Sequence, residues 1–168
     1  MVESRFIRLI QTLNQEKVKY AITGGVAVGL WGFLRATKDI DLILDFSKPN
    51  IKKLIKAISV LGLKPYVPEN PIGLADKNKR DFWMQEKNAK VFSFIHPNDM
   101  FFRVDIMLNI ELKDVIVNWK EDKDIKIPVV GLNDLFLQKL QAKRFQDMQD
   151  ITQLSIIHPQ IIKILEQL

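Results

Sequence analysis

Apolar residues recur at helical spacing at the start of the chain, where Phe6, Leu9, Ile10 and Leu13 share one face and charged residues fill the other. The pattern predicts an amphipathic helix from about Glu3 to Gln15. Val18 to Thr23 is short and β-prone, Gly24-Gly25 interrupts it, and Val26 to Leu34 reads as a buried helix of small residues. Arg35 to Lys38 then leads into Asp39-Ile-Asp-Leu-Ile-Leu-Asp45. Alternation by two along that strand puts Asp39 and Asp41 on one face and Ile40, Leu42 and Leu44 on the other.

Ser47 followed by Pro49 signals a helix start, and Ile51, Leu54, Ile55 and Ile58 carry that helix to Leu61, where Gly62 can cap it. Lys52, Lys53 and Lys56 form its exposed side. Lys64 to Arg80 holds three prolines and a glycine and reads as a mobile loop. Lys90 to Ile95 and Phe101 to Leu108 read as strands of a hairpin turning at His96-Pro-Asn-Asp99, with Asp105 inside the second strand. Asn109 to Asp124 fits no single pattern, and Ile125 to Val130 can add a short strand before Gly131. From Leu132 onward Leu135, Phe136, Leu140, Phe145, Met148, Ile151 and Leu154 follow helical spacing, with a last helix after His158-Pro159. The expectation is one α/β (α+β) domain over residues 1–168, a mixed β-sheet flanked by helices to about residue 130 and a helical segment after it.

Charge and composition narrow the function classes. With no cysteine and only His96 and His158, a disulfide framework and a structural zinc site are excluded. The longest uncharged run, Tyr20 to Leu34, has 15 residues and contains glycines, short of the ~18 that a membrane span needs. Glu3, Arg5 and Arg8 inside a helical pattern argue against a secretory signal, so a cytoplasmic location is expected. The formal net charge is +5, and seven Lys or Arg against two acids between Pro49 and Arg80 carry an excess of the same size. That asymmetry permits an anionic partner such as RNA, and a solvated helix face explains it as well.

Two acids one residue apart on a strand face repel unless a cation sits between them, and magnesium, which takes oxygen ligands and substrate phosphate, suits Asp39 and Asp41. A solvated edge strand produces the same pattern. Gly24-Gly25 between a strand and a helix start offers backbone amides to a phosphate, or is simply a tight turn. Asp105, flanked by Val104 and Ile106, needs compensation from Arg103, another cation or a metal. Phe82, Trp83, Phe92, Phe94, Phe101 and Phe102 read as core residues and not as base-stacking platforms.

Gly24-Gly25, thirteen residues, Asp39-Ile-Asp41 and a later strand acid Asp105 together resemble the DNA polymerase beta-like nucleotidyltransferase superfamily. The runs GGVAVGLWGFLRATKDIDLILD and KLQAKRFQDMQDI resemble most the AbiEii-like and minimal nucleotidyltransferase groups. The resemblance implies transfer of a nucleoside monophosphate from an NTP to an acceptor hydroxyl with loss of pyrophosphate, assisted by Mg2+ or Mn2+. Gly24 and Gly25 would hold the triphosphate, Asp39 and Asp41 the metals, and Asp105 the metal and the acceptor hydroxyl. Two ions roughly 3.5 to 4 Å apart would then bridge the acids and the phosphates. Arg35 and Thr37 match the family pattern before the acid pair; Arg35 either approaches phosphate or caps the preceding helix. Lys139, Lys143 and Asp147, four apart, share a helix face with Asp150 a turn on; the resemblance places Lys139 or Lys143 near the triphosphate, and a solvated ion-paired stripe is the other reading. The acceptor implied is a tRNA or other RNA end, a protein or a small molecule, with a partner protein possible in a toxin–antitoxin or phage-defence setting. The competing class is a non-catalytic nucleotide-binding or partner-binding module on the same fold.

Overall fold

The computed structural model describes residues 2–167. The first helix is α1 (Val2–Gln15), with Leu9, Ile10 and Leu13 fully buried. It is followed by β1 (Tyr20–Thr23), α2 (Gly24–Leu30), β2 (Ile40–Leu44) and α3 (Lys48–Val60). Helix α2 starts at Gly24, two residues before the expected Val26, because Gly24 takes φ +64°, a left-handed value open to glycine, and turns the strand directly into the helix. It also ends earlier, at Leu30. Gly62 caps α3 at φ +72° as the sequence predicts, and Lys52, Lys53 and Lys56 are exposed.

The segment 64–80 departs from expectation. It contains β3 (Lys64–Pro65), a 3-10 turn (Pro71–Ala75) and the start of α4 (Lys77–Glu86). The Asp76 carboxylate accepts from the amides of Asn78 and Lys79 and starts α4. Arg80 is buried, donating to the Leu74 carbonyl at 2.6 Å and to Glu111 at 3.2 Å, with its guanidinium 4.0 Å from the Phe46 ring centre. Polar anchors of this kind leave no apolar periodicity, which is why the sequence reads as loop. Beyond it lie β4 (Val91–His96), β5 (Asp99–Glu111), β6 (Val117–Asp122) and β7 (Ile125–Val130). The ambiguous stretch 109–124 is therefore the end of β5, a 3-10 turn and β6. Trp83, Phe92, Phe94 and Phe102 are core, whereas Phe82 and Phe101 are exposed.

Among the described residues the seven strands form one mixed sheet in the order β3-β4-β5-β2-β1-β7-β6. Leu42, Ile43 and Leu44 of the central β2 are fully buried, so both faces of that strand are covered. Strand register decides where the acids meet. Asp41 lies opposite Thr23 on antiparallel β1 and opposite Asp105 on parallel β5, and Asp105 lies opposite Ser93 on β4. The glycine turn and the three acids are thereby brought to one place.

The C-terminal region comprises α5 (Leu132–Ala142), α6 (Phe145–Ile157) and the short α7 (Ile162–Leu165). Phe136, Ile151 and Ile161 form a second small core there. The expected continuous charged stripe is interrupted: Lys143 takes φ +52°, ψ 24° and ends α5, so Lys139 and Asp147 sit on two different helices. A left-handed residue with a side chain is strained, and Lys143→Gly is expected to stabilise the fold by about 0.5 kcal/mol, measured as a shift in the urea midpoint.

Candidate active site

The acids reach the site by different routes. Asp39 precedes β2 and Asp41 lies within it, one pleat apart on a common face; Asp105 comes from the middle of β5. Exposure grades them. The Asp39 side chain is 39% exposed, Asp41 is half-buried, and the Asp105 side chain is 6% exposed. Arg103, two residues before Asp105 on the same face of β5, donates from Nε to Asp105 Oδ1 at 2.8 Å and stands 3.8 Å from Asp39 Oδ1. Its Nη2 donates to Ser93 Oγ at 3.0 Å. The neighbouring arginine, one of the compensating groups expected for Asp105, is in direct contact with it.

Asp41 forms no hydrogen bond or ion pair among the described residues. Burial, then the charges of Asp105 and Asp39, push its pKa up to about 6, against the opposing pull of Lys139 and Arg144. An under-compensated carboxylate beside two others is the environment in which a divalent cation is favoured. Asp39 and Asp41 therefore fit Mg2+ or Mn2+ together with phosphate oxygens. Among the described residues no group of three or more His, Cys, Asp or Glu side chains is gathered closely enough to hold an ion by itself.

The glycines are needed for close approach. A Cβ on Gly24 would overlap the Asp41 carboxylate, and one on Gly25 would lie 2.7 Å from Thr37 Oγ1 and 3.1 Å from Arg35 Nη2. Gly24, Gly25, Arg35, Thr37 and Asp41 thus form one packed group. Thr37 Oγ1 donates to the Asp39 carbonyl at 3.3 Å, holding the turn before the acid pair.

Arg35 and Lys139 are engaged in a buried charge network. Arg35 makes a two-point contact with Asp150, Nε at 2.7 Å and Nη2 at 2.9 Å. Lys139 Nζ lies 3.0 Å from Asp147 and 2.8 Å from Asp150, all three being buried. Arg144 closes the far end on Asp147 at 2.7 Å. Burial opposes ionisation of Asp147 and Asp150, but the hydrogen bonds from Arg144, Arg35 and Lys139 outweigh it and hold both carboxyls below the usual range. The solvated-stripe reading of Lys139 is corrected by this burial. Lys143 is exposed on the α5–α6 turn.

Sequence reasoning did not single out Ser93, Gln138, Arg144 or the pairing role of Asp150. Gln138 Oε1 accepts from Thr23 Oγ1 at 2.7 Å, tying α5 to the strand before the glycine turn, and its Nε2 is buried with no partner among the described residues. Only the alternation of Arg103 and Asp105 on one strand face carried a signal for the arginine's position.

A mixed seven-stranded sheet with a glycine turn facing an acid pair defines a nucleotidyltransferase-like fold. The chain belongs to the family described as "Nucleotidyltransferase of unknown function (DUF6036)", whose pattern it matches over residues 4–168. Comparison with curated proteins finds no match. Among solved structures, the lincosamide antibiotic adenylyltransferase LnuA in its lincomycin-bound form is similar at TM-score 0.64 and 19% identity, over 92% of this chain and 97% of that one. The antibiotic-resistance factor ANT(2'')-Ia aligns at TM-score 0.62 and 10% identity, over 96% and 87%. An antigenic nucleotidyltransferase-like protein from Paracoccidioides brasiliensis aligns at 0.53 and 16%, over 87% and 71%. At these identities the likeness establishes the fold. No helix among the described residues is long and apolar enough to cross a membrane.

Proposed function

We propose that this chain transfers a nucleoside monophosphate from an NTP to an acceptor hydroxyl. The acceptor oxygen attacks the α-phosphorus, the bond to the β-phosphate oxygen breaks, and pyrophosphate leaves. The observation that carries the reading is the register Thr23–Asp41–Asp105, which sets the Gly24-Gly25 turn against three carboxylates. Asp39 and Asp41 would hold Mg2+ or Mn2+, which when bound neutralises phosphate charge. Gly24 and Gly25, which leave room for Asp41, Thr37 and Arg35 to pack against the turn, would offer backbone amides to the triphosphate, and Arg35 and Thr37 shape that turn. Lys143 and Arg144 are the exposed cations of the α5–α6 turn and approach the phosphates, while Lys139 acts through Asp147 and Asp150. Asp105 Oδ2, which no hydrogen bond engages among the described residues, takes the acceptor's proton. Positioning and charge neutralisation supply most of the rate in such a site.

Arg80 is committed to the core, so the basic excess at 49–80 offers less to RNA than its count suggests. Small-molecule acceptors are supported by the folds of two antibiotic-modifying neighbours. A toxin–antitoxin or phage-defence setting rests on the AbiEii-like sequence run alone. Incubation with each α-labelled NTP and Mg2+, offering RNA, protein and small-molecule extracts, is expected to label one acceptor class. The variant Asp39→Asn/Asp41→Asn should label none. Equal labelling by that variant would refute the assignment, and metal-dependent NTP binding without any label would favour the non-catalytic module.

A further inference from the structure

We propose that the Arg103 guanidinium, and not a second divalent ion, supplies the positive charge between Asp39 and Asp105, so that the site holds a single ion on Asp39 and Asp41. This inference rests on the nucleotidyl-transfer reading above and revises its two-ion expectation. Arg103 already spans the two acids, 2.8 Å from Asp105 Oδ1 and 3.8 Å from Asp39 Oδ1. Two further contacts hold its head: the Ser93 hydroxyl at 3.0 Å and the Tyr66 ring, whose centre is 5.9 Å from the guanidinium carbon. Ser93 is itself buried and lies opposite Asp105 across the β4–β5 pair, so the backbone register builds this arrangement.

A guanidinium cannot leave by losing its proton. A second ion placed against Asp105 would meet a fixed like charge. Asp41, by contrast, pairs with no cation among the described residues and is reached by the charges of Lys139 and Arg144 only at a distance. Magnesium is commonly held by one or two carboxylates plus substrate phosphates, which matches Asp39 and Asp41 without Asp105. Asp105, whose side chain is nearly closed off from solvent, then serves to position Arg103 and to receive a proton, but does not bind the ion.

The test is a Mn2+ titration of the full chain followed by electron paramagnetic resonance, in the presence of each of the four ribonucleoside α,β-methylene triphosphates. One nucleotide-dependent Mn2+ per chain is expected for the wild type, for Asp105→Asn and for Arg103→Lys, which retains the charge. Arg103→Met, checked for folding by circular dichroism, should bind two. Two ions in the wild type, loss of an ion in Asp105→Asn, or one ion in a folded Arg103→Met each overturn the proposal. If no analogue promotes Mn2+ binding, the nucleotidyl-transfer reading falls, and this inference with it.

Discussion

Asp41→Asn is expected to reduce nucleotidyl transfer by roughly a thousandfold and, in buffer free of divalent ions, to make the protein more stable near neutral pH. Both effects have one cause. The folded protein holds Asp41 at a pKa of about 6, above the ordinary 3.8, because burial and two neighbouring carboxylates disfavour its charge. The folded state therefore binds this proton more tightly than the unfolded chain, and stability declines as pH rises from about 4 through 6. Above pH 6 the whole cost is present, on the order of 2 to 3 kcal/mol from a shift of about two units. Asparagine keeps the shape and removes the charge. Urea unfolding at pH 4 and pH 8 should show little difference from wild type at the lower pH and a higher midpoint for the variant at the upper one. Equal midpoints at pH 8 would contradict this electrostatic account, and near-normal transfer would contradict the role assigned to Asp41.

Lys139→Met is the substitution expected to cost most stability, about 3 kcal/mol, since removing one member of a buried ion group leaves the others uncompensated. Methionine nearly preserves the volume, so the loss reports charge and not a cavity. Asp147 would retain only Arg144 as a cation, its side chain 75% exposed, and Asp150 would retain Arg35 and a weak hydrogen bond from the Gln146 amide at 3.3 Å. The pH dependence has the opposite sign to that of Asp41. Carboxyls held below the ordinary range contribute stability that is full above pH 4 and is lost as pH falls through their folded pKa values. Urea midpoints should therefore converge between wild type and variant on acidification below pH 4. A constant difference across pH would assign the loss to packing.

The acid pair was legible because strand alternation is a local property: once Asp39 to Asp45 is read as a strand, Asp39 and Asp41 must share a face. The glycine turn was legible for a similar reason, since glycine pairs between a strand and a helical run have few other uses. Segment 64–80 was not legible, because Asp76, Arg80 and the Pro71–Ala75 turn hold it by individual polar contacts. The C-terminal stripe misled for the converse reason. Lys139 to Asp150 keeps helical spacing through Lys143, and nothing in that spacing shows one residue turning left-handed.

By itself, the sequence determined the element types outside 64–80 and 109–124, the shared face of Asp39 and Asp41, the glycine turn, and the need of Asp105 for a nearby cation. All of these come from backbone periodicity and from the cost of burying charge, which act over a few residues. Tertiary structure alone decided that Asp41 would sit between Thr23 and Asp105, that Arg103 would span Asp39 and Asp105, and that Lys139 would be buried among acids. Those outcomes depend on strand order, register and a helix break. Each brings together residues distant in sequence, whose energies exist only once the sheet and the α5–α6 pair have formed.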